Sequence, residues 1–254
     1  MSELIQSVRH GRIHELRLAR PPVNAINPAL CAALRDSIAA AVDAGAQALV
    51  LAGGPKVFSA GLDVPLLLSI QDDAKALHDA WNGFFDAARA LAACPVPVAA
   101  AIAGHAPAGG CVLALCCDWR VMAEGPFTIG LNETEVGIAI PPGIMRLMQR
   151  TVGLRQAEAM LVPGMMVDSE RALAIGLVDE LAGVDHVVTR AMTRLDLLLD
   201  LPRGPMLETR RLLRADLLDA LSADNMQLER CLESWHSTDT QQALRAMVAR
   251  LGKK

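Results

Sequence analysis

Glu133 stands in a short loop, Leu131-Asn132-Glu133, downstream of a glycine pair, Gly109-Gly110, that opens an apolar segment of helical length. The first amides of a helix have no intrahelical acceptors, and glycine lets a ligand approach the backbone, so such a turn can receive developing negative charge. A second turn of small residues, Ser59-Ala60-Gly61-Leu62-Asp63, exposes further backbone amides. Each alone reads as an ordinary turn or an ordinary loop acid. Together, two separated N–H donors and one carboxylate suit chemistry that passes through an acyl enolate, in which a base takes a proton beside a carbonyl while donors hold the charge on oxygen.

Other chemistries lose their footing in the same sequence. No G-x-G-x-x-G follows a strand, no G-x-x-x-x-G-K-[ST] occurs, and Ser59 is not in a G-x-S-x-G elbow. Tyrosine is absent, so no tyrosine acid or oxyanion donor is available. His10 and His14 have the i, i+4 spacing of a helical metal pair, but Gly11 and the strand-like run that follows argue against a helix there, and no metal site is expected. The six cysteines, Cys31, Cys94, Cys111, Cys116, Cys117 and Cys231, form no C-x-x-C pair and sit mostly in apolar runs, as reduced core thiols do. A net charge of −4 gives no electrostatic case for nucleic acid.

The elements that would position these groups follow from periodicity and punctuation. Arg12 to Ala19 alternates like a strand ended by Pro21-Pro22, and Asn27-Pro28 caps an Ala-rich helix running to about Ala44 with Gly45 as its stop. Gln47 to Ala52 reads as a buried strand. Asp72-Asp73 opens a helix to about Ala93 whose Leu77, Trp81, Phe84, Phe85 and Ala88 form an apolar stripe, read as core. Val96 to Ile102 is strand-like and leads through a turn at Gly104 to Pro107 into the segment at Ala108-Gly109-Gly110. Helices are expected over Gly143 to Val152 and Leu154 to Leu161, then one capped by Asp168 or Ser169 and stopped by Gly176, then a strand from Leu177 to Leu181. Only helical patterns follow Val184, broken near Pro202 and Pro205 and restarted around Asp224 and Ser237. This order predicts one continuous α/β domain of 254 residues, a core over 1–190 with a helical extension over 191–254.

Between Arg89 and Asp118 only His105 is ordinarily charged, which raises a membrane span as a reading. Pro95, Pro97, Pro107 and the glycines interrupt it, and strands buried on both faces look the same in sequence. His105 reads as a turn residue, and Asp118 as a structural acid for neighbouring backbone or Arg120. The N-terminal MSELIQSVRHGR has no apolar signal core and the terminal LGKK is no peroxisomal signal, so a cytoplasmic protein without a membrane partner is expected.

The segments PPVNAIN, VFSAGLD, PAGGCVLALCCDWRVMA and IGLNETEVGIAIP, with the helical tail, resemble in order and spacing the crotonase (enoyl-CoA hydratase/isomerase) superfamily, and most closely its Δ3,Δ2-enoyl-CoA isomerase branch, from about Arg12 to Lys254. The resemblance implies a spiral of ββα repeats, helices packed against neighbouring subunits, a homotrimer or homohexamer, and an acyl-CoA thioester as substrate with no separate cofactor. It places the two oxyanion donors at the amides of Leu62 and Gly109, and lays CoA along Asn24-Ala25 and Ala60 to Asp63. Ser59, Gly110, Ile140 and Pro141 complete the implied binding set.

Hydratases of the superfamily resemble a two-glutamate pattern whose first glutamate lies two residues beyond the glycine pair. Here that position is Val112, which cannot hold or activate water, and Glu133 is left as the single matching acid, as in the isomerase branch. The resemblance therefore implies that Glu133 moves a proton from C2 to C4 of a 3-enoyl thioester. Ile138, Ile140 and the Pro141-Pro142 turn are expected to keep it poorly solvated and raise its proton affinity towards neutrality. Glu135 is an alternative base if the loop is extended. A hydratase is the alternative enzyme. An RNA-binding relative is the non-enzymatic one, disfavoured because the corresponding helix, Ala29 to Ala44, carries Arg35, Asp36 and Asp43 and no lysine.

Overall fold

The computed structural model describes residues 3–251, so the expectation for the terminal LGKK lies, Leu251 aside, outside the described residues. The chain opens with a hairpin of β1 (Ile5–His10) and β2 (Ile13–Leu18), turned at Gly11 with φ +61°. His10 and His14 therefore sit on opposite strands of a hairpin. Helix α1 (Pro28–Asp43) begins where Asn27 accepts from the Leu30 N–H and ends before Gly45. Strand β3 (Ala48–Ala52) follows, then the short α2 (Val64–Ser69), capped by Asp63, and α3 (Ala74–Ala92), capped by Asp73.

Three times the chain then lays one strand in a large sheet and continues into a second layer. After β3, Val57 bridges His105; after β4 (Val98–Ile102) comes the two-residue β5 (Ala106–Pro107), then α4 (Gly109–Leu115); after β6 (Trp119–Ala123) comes β7 (Thr128–Gly130). Helices α5 (Pro142–Val152) and α6 (Leu154–Leu161) lead to β8 (Met166–Asp168), α7 (Ser169–Ala174) and β9 (Glu180–Ala182). The large sheet has the order β1-β2-β3-β4-β6-β9, parallel from β2 onward, and the small one β5-β7-β8. This is the expected mixed α/β spiral of strand, strand and helix.

Period-two alternation explains the long uncharged run. Leu49, Leu51, Val98, Ala100 and Ile102 face the main core with α1 and α3. Ala48, Val50, Ala52, Ala99 and Ala101 face the other side, where Val187, Ala191 and Leu195 of α8 (Val187–Leu199) cover them. Helix α8 crosses residue 190 without a break, so the core and the extension share one interior. The tail continues as α9 (Arg203–Leu213), α10 (Ala215–Ala220), α11 (Ala223–Met226), α12 (Leu228–Trp235) and α13 (Thr238–Leu251). No helix among the described residues is long and apolar enough to cross a membrane.

Two expectations change. Leu177 and Val178 are not in a strand; both donate to the Ala172 carbonyl in the turn after α7, and pairing with β6 starts only at Glu180. Asp118 does not meet Arg120, which pairs with Asp179 at 2.7 Å. The backbone alternative holds, since Asp118 accepts from the Val98 amide, and its guanidinium partners are Arg210 and Arg214 of the helical tail, each at 2.8 Å. Arg214 also donates to the Ala92 and Cys116 carbonyls, so the pair ties the tail to the ends of α3 and α4. Removing one member of a buried, fully bonded pair leaves the other charged and unpaired. Asp118→Ala is expected to lower unfolding free energy by about 3 kcal/mol in denaturant titration; a loss under about 1 kcal/mol would mean that the tail is held by apolar packing alone.

Candidate active site

A cavity of about 500 Å³ opens between the 20–25 segment, the turn at Ala60 to Asp63, the start of α4 and the Glu133 loop. Two features build its donor wall. Residues 23–26 run beside 60–63 as a short parallel ladder: Ala60 donates to Val23, Ile26 to Gly61, and Asp63 to Ile26. Parallel pairing uses alternate residues, so the Leu62 N–H points away from the ladder and finds no acceptor among the described residues. The Gly109 N–H, first of α4, is likewise unaccepted.

Close contact keeps the two turns together. A Cβ on Gly61, where φ is +82°, would stand 2.9 Å from the Ala108 Cβ and 3.1 Å from the Gly109 nitrogen. Ala108 itself adopts φ 49°, ψ −121°, a conformation costly for a residue with a side chain. That strain sets the direction of the next amide. Gly110 has a different task, since a Cβ there would meet the Ser59 carbonyl at 2.4 Å.

Ala25, Ala60, Leu62, Asp63, Gly109, Glu133 and Pro141 line the cavity; Asn24, Ser59, Gly110 and Ile140 do not. Asn24 and Ser59 lie behind the wall and hold it. Asn24 donates to the Phe58 carbonyl and accepts from the Arg20 amide, while Ser59 donates to the Asn24 carbonyl and accepts from the Gly61 amide. Ile140 is buried in the main core. Sequence reasoning missed the rim pair Arg20–Asp63, 2.6 Å apart, in which Arg20 also donates to the Ala25 carbonyl. It also separated core from site too sharply, because Trp81, Phe84 and Phe85 of α3 are buried and yet wall the cavity, as do Val112, Ile144 and Met247, while Ile138 lines it as expected.

Glu133 faces this apolar wall. Its Oε2 is buried without a hydrogen-bond partner among the described residues, and desolvation pushes its carboxyl up to about 7. Asp63 is the other acid of the lining, and Arg20 neutralises it. Glu135 is exposed and outside the cavity, because the loop is not extended but coils as a single turn over Thr134–Val136. His105 accepts the Thr128 amide at Nδ1 and serves the small sheet. Among the described residues no three His, Cys, Asp or Glu side chains converge as a metal cluster. The arrangement puts the Glu133 carboxylate and two residues with unaccepted amides on the lining of a single cavity.

The sequence profile of the family described as Enoyl-CoA hydratase/isomerase matches residues 9–251. Mouse mitochondrial enoyl-CoA delta isomerase 1 is 31% identical over 89% of this chain and 77% of its own. A probable enoyl-CoA hydratase of Mycobacterium avium is 36% identical over 77% of this chain and 75% of its own. Among solved structures, human mitochondrial Δ3-Δ2-enoyl-CoA isomerase superposes with a TM-score of 0.90 at 25% identity, covering 98% of both chains. An enoyl-CoA isomerase of Mycobacterium tuberculosis superposes at 0.81 with 31% identity, covering 91% of this chain and 99% of that one. The chain belongs to the enoyl-CoA hydratase/isomerase family.

A carboxyl raised to about 7 in the fold and near 4.5 when unfolded costs nothing below the lower value, where both states are protonated. Above pH 7 the native state must hold a desolvated charge, at a cost on the order of 3 kcal/mol. Glu133→Gln is therefore expected to be more stable than the parent at pH 8 by that order and equal to it near pH 4, as read by thermal or denaturant unfolding. Equal stability at both pH values would show that the carboxylate is well solvated.

Proposed function

We propose that this family member is an enoyl-CoA isomerase that moves the double bond of a 3-enoyl-CoA to the 2-position. The observation that carries the reading is the lone desolvated carboxylate: Glu133 is the one unneutralised acid on the cavity wall, and Val112 occupies the wall where a second glutamate would be needed to hold water. In this account the thioester oxygen takes the Leu62 and Gly109 amides. Each such donor is worth about 2.7–4 kcal/mol to an oxyanion transition state. Glu133 removes a proton from C2, the charge spreads over the dienolate, and the same carboxyl returns the proton to C4. No water and no cofactor beyond the CoA carried by the substrate enter these steps.

Support comes from both directions of comparison, since named isomerases match in sequence and in fold. The hydratase reading stands second because a relative described as a probable hydratase is 36% identical. A homotrimer or homohexamer in the cytoplasm, bound to neither nucleic acid nor membrane, completes the proposal; six free, buried thiols suit a reducing compartment.

Purified enzyme supplied with 3-enoyl-CoA and 2-enoyl-CoA in parallel is expected to isomerise the first and hydrate the second weakly or not at all. Glu133→Gln should lose at least about a thousandfold in kcat on the 3-enoyl substrate, the upper part of the range for a lost acid–base group. The free-enzyme base must be ionised, so kcat/KM should rise with pH through about 7. Hydration as fast as isomerisation, or turnover retained by the glutamine variant, would overturn the reading.

A further inference from the structure

The Glu133 loop is held by a hydrogen bond from the C-terminal helix. From Glu133 the chain makes one tight turn, closed when the Gly137 amide donates to the Thr134 carbonyl and the Ile138 amide to the Glu133 carbonyl, with Gly137 at φ +83°. This is a glycine-closed helix end in which the orphan carbonyls are satisfied internally. One carbonyl of the turn, that of Gly137, reaches outside it. It accepts the hydroxyl of Thr240, a buried residue in the first turn of α13. Thr240 is itself fixed by Ser237, whose hydroxyl donates to the Thr240 oxygen at 2.9 Å and accepts the Thr240 amide at 3.3 Å. The surfaces are flush: a Cβ on Gly137 would stand 2.8 Å from the Ala243 Cβ and 3.2 Å from the Thr240 Cα. Two turns further along the same helix, Met247 enters the cavity wall.

We infer that Thr240 is a positioning residue for Glu133, the chain Ser237–Thr240–Gly137 fixing the loop on which the carboxylate is carried. The inference rests on Glu133 being the base, as proposed above. On its other side the loop is tied by Thr134, which donates to the Leu161 carbonyl at 2.9 Å. With the Thr240 bond gone the loop keeps that anchor and its internal turn, so the chain folds while the carboxylate loses its fixed aim. A misplacement of about 1 Å at a reacting group can cost on the order of a hundredfold in rate. Ala25, Ala60 and Asp63, the cavity residues implied for the CoA portion, belong to other segments, so its binding is expected to be unaffected.

The test compares parent, Thr240→Val, Thr240→Ala and Thr240→Ser by steady-state kinetics on whichever enoyl-CoA the parent turns over, with thermal unfolding of each. Removal of the hydroxyl is expected to lower kcat by about ten- to a hundredfold with KM within about twofold, and serine to restore most of it. Alanine removes the same hydroxyl with less bulk, so the comparison survives a valine variant that does not fold. Parent-like kcat in a folded valine or alanine variant overturns the inference, as does a rise in KM with kcat unchanged or a serine variant no better than alanine. The isomerase reading fails separately, if the parent does not act on the 3-enoyl substrate.

Discussion

An ionisable carboxyl whose buried Oε2 finds no hydrogen-bond partner among the described residues is the constraint on which the rest of this structure turns. A buried charge is tolerated only where the fold over-determines its place, because relaxation would expose it. Around Glu133 that over-determination comes from three directions: α3 with its aromatic stripe, the Ile138 to Ile144 segment, and α13 across the loop. The same desolvation that costs stability brings the proton affinity close to neutrality, where a group can both take and return a proton.

At the two turns that share the cavity with Glu133, the fold spends backbone conformation rather than side chains. The ladder of 23–26 with 60–63 turns the Leu62 amide outward, and the strained Ala108 does the same for Gly109. Gly61 lets its turn lie against Ala108 and Gly109, which keeps the two turns together, and Gly110 lets the Ser59 carbonyl come close. Asn24 and Ser59 matter here as supports: their hydrogen bonds hold the turn from behind.

Much of this was legible in the chain. Asn27-Pro28, Asp73 and Asp168 marked helix starts because capping is local chemistry, and the apolar runs at Ala48 and Val98 marked strands covered on both faces. The Glu133 loop and both small-residue turns were visible as well, and the cavity brings them together. What escaped depends on distant partners. Strand β1 exposes all but its first residue, so it shows no alternation, and β5, β7 and β8 are too short to carry a pattern. Asp118 chose Arg210 and Arg214, some ninety residues away, over Arg120 two residues on, a choice only the path of the tail decides. Trp81 and Phe84 read as core because periodicity reports burial and cannot say that one side of a buried stripe faces a cavity.

The most direct measurement is a crystal structure with an acyl-CoA thioester bound. The thioester oxygen is expected within about 2.7–3.1 Å of both the Leu62 and Gly109 nitrogens, with C2 and C4 facing the Glu133 carboxylate and apolar side chains around them. A thioester oxygen away from those two amides, or an ordered water gripped between Glu133 and a second acid, would contradict that expectation.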